Sequence, residues 1–324
     1  MSIAHIIDQA LARTGGQNGI RQVFLVACGG SLVDMYPAKT FLETEASSLR
    51  GALYTANEFV NMPPRALSSS SVVIVCSHSG DTPESVAAVQ LAHEAKAFCI
   101  TLSNNPEGAI RAQADHAITY QWGDVVPVTD NPITITLSLC VELLHRIEGY
   151  DAYADFQQAL AMVDEQVAAA RLQVAARAAR FAEVWRDEPL FYILSSGASF
   201  GHAYGFAICS LMEMQWRDAA AIHSGEYFHG PFEVTDHDKA YILLINEGRT
   251  RPLDERARVF LERYARKLEI IDARELGLGA LPASVVDYFN PVLFYVMSCV
   301  YRAALAEVRQ HPLETRRYMG KVSY

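Results

Sequence analysis

The chain has 324 residues, enough for two compact lobes, and 51% of them are hydrophobic against 20% that are charged, as in a globular protein with a large core. Its formal net charge of -10 argues against nucleic acid or an anionic membrane as a partner, since both select for basic surfaces. The six cysteines form no CxxC pair, no uninterrupted apolar run reaches the ~18 residues of a membrane span, and the N-terminus lacks a signal-peptide layout. We therefore expect a cytoplasmic protein with reduced thiols.

Short apolar segments alternate with helical patterns along the chain. The first segment, VFLVACGGS, ends in a glycine-rich turn at Ser31, and later segments such as VVIVC and AYILLI have strand length and strand composition. Such alternation predicts an α/β fold with parallel sheets covered by helices on both faces, a three-layer α/β/α arrangement. The predicted helices cover about 32–47, 83–95, 133–148, 201–217, 251–265 and 283–307.

The two halves of the chain repeat each other. An offset of 168 residues places Ser31 on Ser199 and Gly80 on Gly248, and it superimposes three strand-like segments without a gap, the last of them 97–103 on 265–271. Three segments in one register are unlike a chance match, so we infer an internal duplication that gives two related lobes.

The duplication predicts a division of the chain into four parts. Residues 15–150 form the first lobe and residues 187–310 the second. Between them, residues 151–186 are rich in alanine and nearly free of glycine and proline, which predicts a long connecting helix. Residues 311–324 are predicted to be an irregular tail.

The most specific motif is the loop after the strand VVIVC. Ser77, Ser79 and Thr82 crowd a short turn with Gly80, and Pro83 suits the first turn of the following helix. Such a loop presents hydroxyls, backbone N–H groups (that of His78 among them) and a helix N-terminus to one anion, which predicts a phosphate site. The alternative is a polar strand-to-helix turn in which Thr82 is an ordinary N-cap.

The turn at Gly30 and Ser31 is a weaker second candidate, because glycine-rich strand-to-helix turns are common in α/β proteins and this one lacks dinucleotide or P-loop spacing. In the second lobe, Ile245 and Glu247 occupy the positions of the two loop serines. A carboxylate there would repel phosphate, so we expect one phosphate site per chain, in the first lobe.

Two further residues are candidates for proton transfer. Glu213 lies within an apolar helical stretch, where a charged residue is unusual, although an exposed helix face or an ion pair with Arg217 would also account for it. His229 precedes Gly230-Pro231 at a chain reversal, where it is either a titrating base or a loop histidine bonded to the backbone. No group of residues has metal-ligand spacing, so we expect neither a metal nor a redox cofactor.

These motifs resemble the SIS domains of the isomerase half of glucosamine-6-phosphate synthase and, within that family, the fructosamine-6-phosphate deglycases. The resemblance covers nearly the whole chain. It is carried by CGGS, the loop SHSGDT, MEMQW, HSGEYFHGPFE and the tail RRYMGKVSY.

By position, the resemblance implies a role for each candidate residue. Glu213 would be the acid/base glutamate, and His229 the histidine that opens the sugar ring and reaches the site of a neighbouring subunit in a homodimer. Lys321 would be a tail lysine that contacts the substrate. The phosphate contacts would be Gly30, Ser31, Ser77, His78, Ser79 and Thr82.

The resemblance also implies a reaction, the cleavage of a 6-phosphorylated fructosyl-amino acid to glucose 6-phosphate and a free amino acid, with 6-phosphofructose-aspartate as the expected substrate. A sugar-phosphate isomerase using the same Glu213 and His229 is the first alternative. A sugar-phosphate-sensing regulator is the second, disfavoured by the acidic charge and by the absence of a basic helix-turn-helix segment from this sequence.

Overall fold

A computed structural model describes residues 2–16, 19–123 and 126–323 of the chain. The chain divides into two compact units, Met1–Gln157 and Gln158–Tyr324. Each unit is built on one parallel sheet.

The sheet of the first unit has five parallel strands in the order β2-β1-β3-β4-β5. The runs VVIVC and FCITL are buried along their whole length, because helices cover both faces of a parallel sheet and leave no face for water. The strands are β1 Gln22–Ala27, β2 Arg50–Thr55, β3 Ser71–Cys76, β4 Phe98–Ser103 and β5 His116–Thr119. The helices are α1 Ile3–Thr14, α2 Gly29–Val33, α3 Tyr36–Glu45, α4 Ala56–Asn61, α5 Pro83–Glu94 and α6 Pro132–Glu148, followed by α7 Tyr153–Trp185, which continues into the second unit.

The second unit repeats this architecture with four parallel strands in the order β7-β6-β8-β9. A π-helical segment, Phe206–Glu213, continues directly from α8. The strands are β6 Leu190–Ser195, β7 Asp218–His223, β8 Ala240–Ile245 and β9 Lys267–Asp272. The remaining helices are α8 Phe200–Gly205, α9 Arg251–Tyr264 and α10 Asn290–Arg309.

The predicted duplication is visible in the sheets, with one correction. The bounds of β1 and β2 recur 168 residues later in β6 and β7. The third segment does not follow without a gap, because Val72 pairs with Phe98 whereas Ala240 pairs with Lys267 rather than Arg266. One residue is therefore inserted between β8 and β9. The predicted two-lobed, parallel α/β fold is confirmed.

Two predicted helices differ from the observed ones because of prolines. The helix predicted over 32–47 is broken into α2 and α3, since the ring of Pro37 would clash with the carbonyl of Val33 in a continuous helix. The helix predicted from residue 283 begins instead at Asn290, with Pro291 in its first turn, after a 3-10 turn over Val286–Tyr288.

Helix α10 is apolar enough to be mistaken for a membrane span. The stretch Val286–Arg309 has a mean hydropathy of 1.3 over an 18-residue window, and 44% of that window is buried inside the protein. Leu293, Met297 and Tyr301 are fully buried in the second unit. We therefore interpret α10 as a core helix of that unit.

Candidate active site

The predicted phosphate loop lies where the strand order of the first sheet reverses. Strand β1 is flanked by β2 on one side and β3 on the other, and Ala27 pairs with Cys76 at the ends of β1 and β3. The turns that follow these two strands are therefore neighbours at the carboxyl edge of the sheet. In open α/β sheets this position forms the crevice in which ligands bind.

Hydrogen bonds and burial within the loop distinguish Ser77, which supports the turn, from the exposed Ser79. Ser77 is 2% exposed, and its hydroxyl bonds the Thr82 hydroxyl at 2.9 Å and accepts from the Gly80 N–H at 3.2 Å. The Thr82 side chain caps no backbone N–H of α5, so the alternative of an ordinary N-cap is not what the structure shows. Ser77 thus shapes the loop, while Ser79 lies exposed on it.

Backbone donors of the loop are left available. Within the described residues, the N–H groups of His78, Ser79 and Thr82 have no acceptor. Gly80 has φ +75°, and a Cβ there would lie 2.6 Å from the Gly108 Cα, so only glycine permits this path. Unused N–H groups beside two hydroxyls and a helix N-terminus form a suitable site for an anion such as phosphate.

His78 is held by an aromatic neighbour. Its Nδ1 lies 2.9 Å from the Tyr120 hydroxyl, and its ring centroid lies 5.2 Å from that of Trp122. Burial lowers the pKa of His78, which favours the neutral imidazole. The ring therefore adds no fixed positive charge to the loop at neutral pH, and the backbone N–H remains the contribution expected from this residue.

The turn after β1, at Gly30 and Ser31, offers fewer free groups to an anion than the phosphate loop does. Gly30 is exposed in the first turn of α2, and Ser31 is half-buried, with its hydroxyl a hydrogen-bond partner of the Cys76 thiol. Asp34, at the end of the same short helix, is buried at 6% exposure. This second turn lies beside the phosphate loop, but the Ser31 hydroxyl is already hydrogen-bonded to the Cys76 thiol.

The corresponding loop of the second unit is already filled by protein groups. Gly248 has φ +111°, like its counterpart Gly80, yet the Arg249 N–H donates to Asp287 Oδ1 at 2.8 Å and the Glu247 N–H donates to Asn290 Oδ1 at 2.7 Å. Side-chain oxygens of the second unit therefore accept the hydrogen bonds of these loop N–H groups, which are not available to a ligand. This geometry supports the expectation of a single phosphate site, in the first unit.

Glu213 is the last residue of the π-helical segment, a form of helix that is rare and often found at functional sites. Its carboxylate is 24% exposed, and Oε1 accepts a hydrogen bond of 2.6 Å from Arg316 Nη2. Arg217, the alternative partner considered from the sequence, instead donates to the Arg186 carbonyl at 2.9 Å. The carboxylate is thus bound to a cation through one oxygen.

The tail segment is anchored next to Glu213 by buried and aromatic contacts. The Gln215 side chain is fully buried and donates to the His311 carbonyl at 3.1 Å, and Arg317 lies 4.3 Å above the Trp216 ring. Lys321 donates to the Arg316 carbonyl at 2.6 Å. Lys321, predicted to contact the substrate, therefore contacts the tail itself. It binds the backbone of Arg316, and the side chain of Arg316 binds the Glu213 carboxylate.

His229 lies in an exposed turn of the second unit. Its N–H donates to the Glu226 carbonyl at 2.9 Å within the turn, its side chain is exposed, and Gly230 follows with φ +130°. In the described part of the chain no hydrogen bond joins the imidazole to Glu213. The exposed ring is free to meet a ligand or another subunit.

Arg316 is the residue that sequence reasoning missed. It lies 103 positions after its partner Glu213, within a tail predicted to be irregular, so no helical or strand spacing links the two. The only available signal was the pair Arg316-Arg317 inside the tail block RRYMGK of an acidic chain.

Comparison with known proteins identifies the family. The SIS domain model matches residues 20–145. The chain is 40% identical over 308 residues to the fructosamine deglycase FrlB of Bacillus subtilis (strain 168), covering 94% of this chain and 93% of that protein. It is 24% identical over 304 residues to the fructoselysine 6-phosphate deglycase of Escherichia coli (strain K12), covering 93% and 86%.

Solved structures share the fold over nearly the whole chain. The crystal structure of a candidate phosphosugar isomerase from Salmonella typhimurium LT2 superposes with a TM-score of 0.96 at 44% identity, covering 100% of this chain and 98% of that one. The C-terminal domain of glucosamine-fructose-6-phosphate aminotransferase from Francisella tularensis shares the fold alone, with a TM-score of 0.77 at 16% identity over 96% and 94% of the two chains. The chain therefore belongs to the fructosamine deglycase family of SIS-domain enzymes.

Proposed function

We propose that this enzyme cleaves a 6-phosphorylated fructosyl-amino acid, with 6-phosphofructose-aspartate as its substrate, to glucose 6-phosphate and the free amino acid. The observation that carries the proposal is the anion loop of the first unit, whose unused N–H groups and hydroxyls suit the 6-phosphate. Membership of the deglycase family supports the choice of reaction.

In this reaction Glu213 shuttles one proton. Its carboxylate takes a proton from C1 of the open-chain ketose, which gives an enaminol between C1 and C2, and the resulting acid returns a proton to C2. The product is an imine at C1, and water hydrolyses it to the C1 aldehyde of glucose 6-phosphate and the free amine. His229 is proposed to open the sugar ring by taking the proton of the C2 hydroxyl and returning it to the ring oxygen as the bond between C2 and that oxygen breaks. Lys321 is proposed to contact the sugar chain.

The alternative, a sugar-phosphate aldose–ketose isomerase, would use the same proton shuttle without the final hydrolysis. The two are separated by incubating the enzyme with 6-phosphofructose-aspartate and measuring glucose 6-phosphate with a coupled dehydrogenase. We expect glucose 6-phosphate and aspartate in equal amounts. Interconversion of fructose and glucose 6-phosphates without release of amino acid would favour the isomerase.

The phosphate loop is tested by Thr82→Val. Removing this hydroxyl should raise KM about 10-fold or more with little change in kcat, because a hydrogen bond to a charged group contributes roughly 1.5–3 kcal/mol. The measurement is steady-state release of glucose 6-phosphate. Ser85→Ala, in α5, is the matched control, since the buried Ser85 hydroxyl has no hydrogen-bond partner among the residues that the structure describes. Equal activity losses in the two variants would show that packing, not phosphate binding, is disturbed.

We further propose a cytoplasmic homodimer with shared active sites, in which the exposed His229 acts in the site of its partner. If so, mixing inactive Glu213→Gln and inactive His229→Ala chains should restore activity, because a mixed dimer holds one site with both functional residues. About a quarter of wild-type activity is the ceiling for random mixing of two chains. Subunit exchange is verified with differently tagged chains, and exchange without recovery would show that each chain supplies both residues.

A further inference from the structure

A small cationic surface adjoins Glu213, in contrast to the acidic chain as a whole. It is formed by Arg316, which contacts the Glu213 carboxylate, and Lys321, which contacts the Arg316 carbonyl. Glu213 is the carboxylate bound directly to this surface, although the chain carries a net charge of -10. Such a surface is suited to an anionic part of a ligand.

Hydrogen bonds fix the orientation of the Arg316 guanidinium and leave some of its N–H groups without an acceptor among the described residues. Its Nη1 donates to the carbonyls of Leu313 at 2.5 Å and Thr315 at 3.1 Å, while its Nη2 donates to Glu213 Oε1. Among the described residues, no acceptor is bonded to the Nε–H or to the second Nη2 proton. The Arg316 side chain is 20% exposed. A guanidinium fixed on one side and free on another can bind a second carboxylate in a planar, directional way.

We propose that Arg316 binds the α-carboxylate of the amino acid carried on C1 of the substrate, and so selects α-glycated amino acids. This inference rests on the proposed function. The amine nitrogen is bonded to C1, and the carboxylate carbon lies two bonds beyond that nitrogen, so it is roughly 4 Å from C1 at most. When Glu213 contacts the C1 proton, the α-carboxylate is therefore within reach of the guanidinium that Glu213 itself contacts.

The test compares four 6-phosphofructosyl amines that differ only in their carboxylates. Aspartate carries an α- and a β-carboxylate, alanine only the α, β-alanine only the β, and ethylamine neither. For the wild-type enzyme we expect kcat/KM to be similar for the aspartate and alanine compounds and about 10- to 100-fold lower for the other two. Release of glucose 6-phosphate is the measurement for all four.

The variant Arg316→Ala should remove this preference by lowering kcat/KM for the aspartate and alanine compounds to the level of the other two. Arg316→Lys, which keeps the charge but not the planar donors, should restore part of it. Arg317→Ala is the matched control in the same tail, because Arg317 lies over Trp216, and the preference should persist.

The outcomes separate the inference from the function on which it rests. An equal loss on all four compounds in Arg316→Ala would overturn the inference and leave Arg316 as a residue that only positions Glu213. A wild-type enzyme without preference for the α-carboxylate would overturn it as well. Failure of the wild-type enzyme to release glucose 6-phosphate from any of the four would instead refute the proposed deglycase activity.

Discussion

Replacing Glu213 by glutamine is expected to lower kcat about 100- to 10,000-fold, which is the usual contribution of a general acid–base group. Glutamine has nearly the shape of glutamate, and its amide oxygen can still accept the hydrogen bond from Arg316 that holds Oε1 at 2.6 Å. It cannot accept and return the C1 proton. The change should therefore stop the shuttle between C1 and C2 while the π-helical segment and the anchored tail stay in place.

The experiment measures glucose 6-phosphate release from 6-phosphofructose-aspartate together with the melting temperature, with and without substrate. We expect a wild-type melting temperature and a retained substrate-induced shift, because the phosphate loop lies in the other unit. Glu233→Gln is the matched control, since Glu233 is exposed. Turnover above about a tenth of wild type in Glu213→Gln would exclude this residue as the base, and Glu226 would be the next candidate.

Much of the fold could be predicted because its signals are local. Apolar strand segments and glycine turns recur at one offset, so the two lobes follow from the sequence alone. The inserted residue between β8 and β9 could not be found in the same way. Strand pairing decides the register, and Ala240 pairs with Lys267 across the sheet. A shift of one position leaves the hydrophobicity of such a segment nearly unchanged.

In the candidate site too, local motifs could be predicted from the sequence and long-range contacts could not. Ser79, Gly80 and Thr82 form a contiguous motif, which can be recognised in the sequence. The contact between Glu213 and Arg316 spans 103 positions and depends on where the tail folds back. Asp287 likewise reaches the loop of the second unit from 38 positions away. Such contacts are products of tertiary structure and have no periodicity to reveal them.

The second large effect is expected at Asp34, a buried carboxyl group near the phosphate loop. Asp34 is 6% exposed, and burial raises the pKa of its carboxyl to about 8. Cys76 and Tyr120 interact with it electrostatically, and burial raises the pKa of both, so neither ionises between pH 4 and 8. Among Asp34, Cys76 and Tyr120, Asp34 is therefore the group that titrates across that range.

The sign of the pH dependence follows from the direction of this shift. In the unfolded chain an aspartate titrates near pH 3.9, so between about pH 4 and 8 the folded state holds a proton that the unfolded state has lost. The contribution of Asp34 to the free energy of unfolding therefore falls as pH rises from about 4, and it becomes constant above about 8. Each pKa unit corresponds to about 1.4 kcal/mol, so burial of this acid costs up to roughly 4 kcal/mol at pH 7.

Asp34→Asn should remove this cost, because the amide has nearly the same shape and no proton to lose. We expect the variant to be more stable than wild type by roughly 2–4 kcal/mol at pH 7 and about equally stable at pH 4.5, where the buried acid costs little. Urea unfolding at both pH values, followed by circular dichroism, is the measurement. Asp151→Asn, at an exposed position, is the control and should change stability by less than about 0.5 kcal/mol. A gain of the same size at both pH values would mean that the amide packs better, and that ionisation of Asp34 is not what limits the wild-type protein.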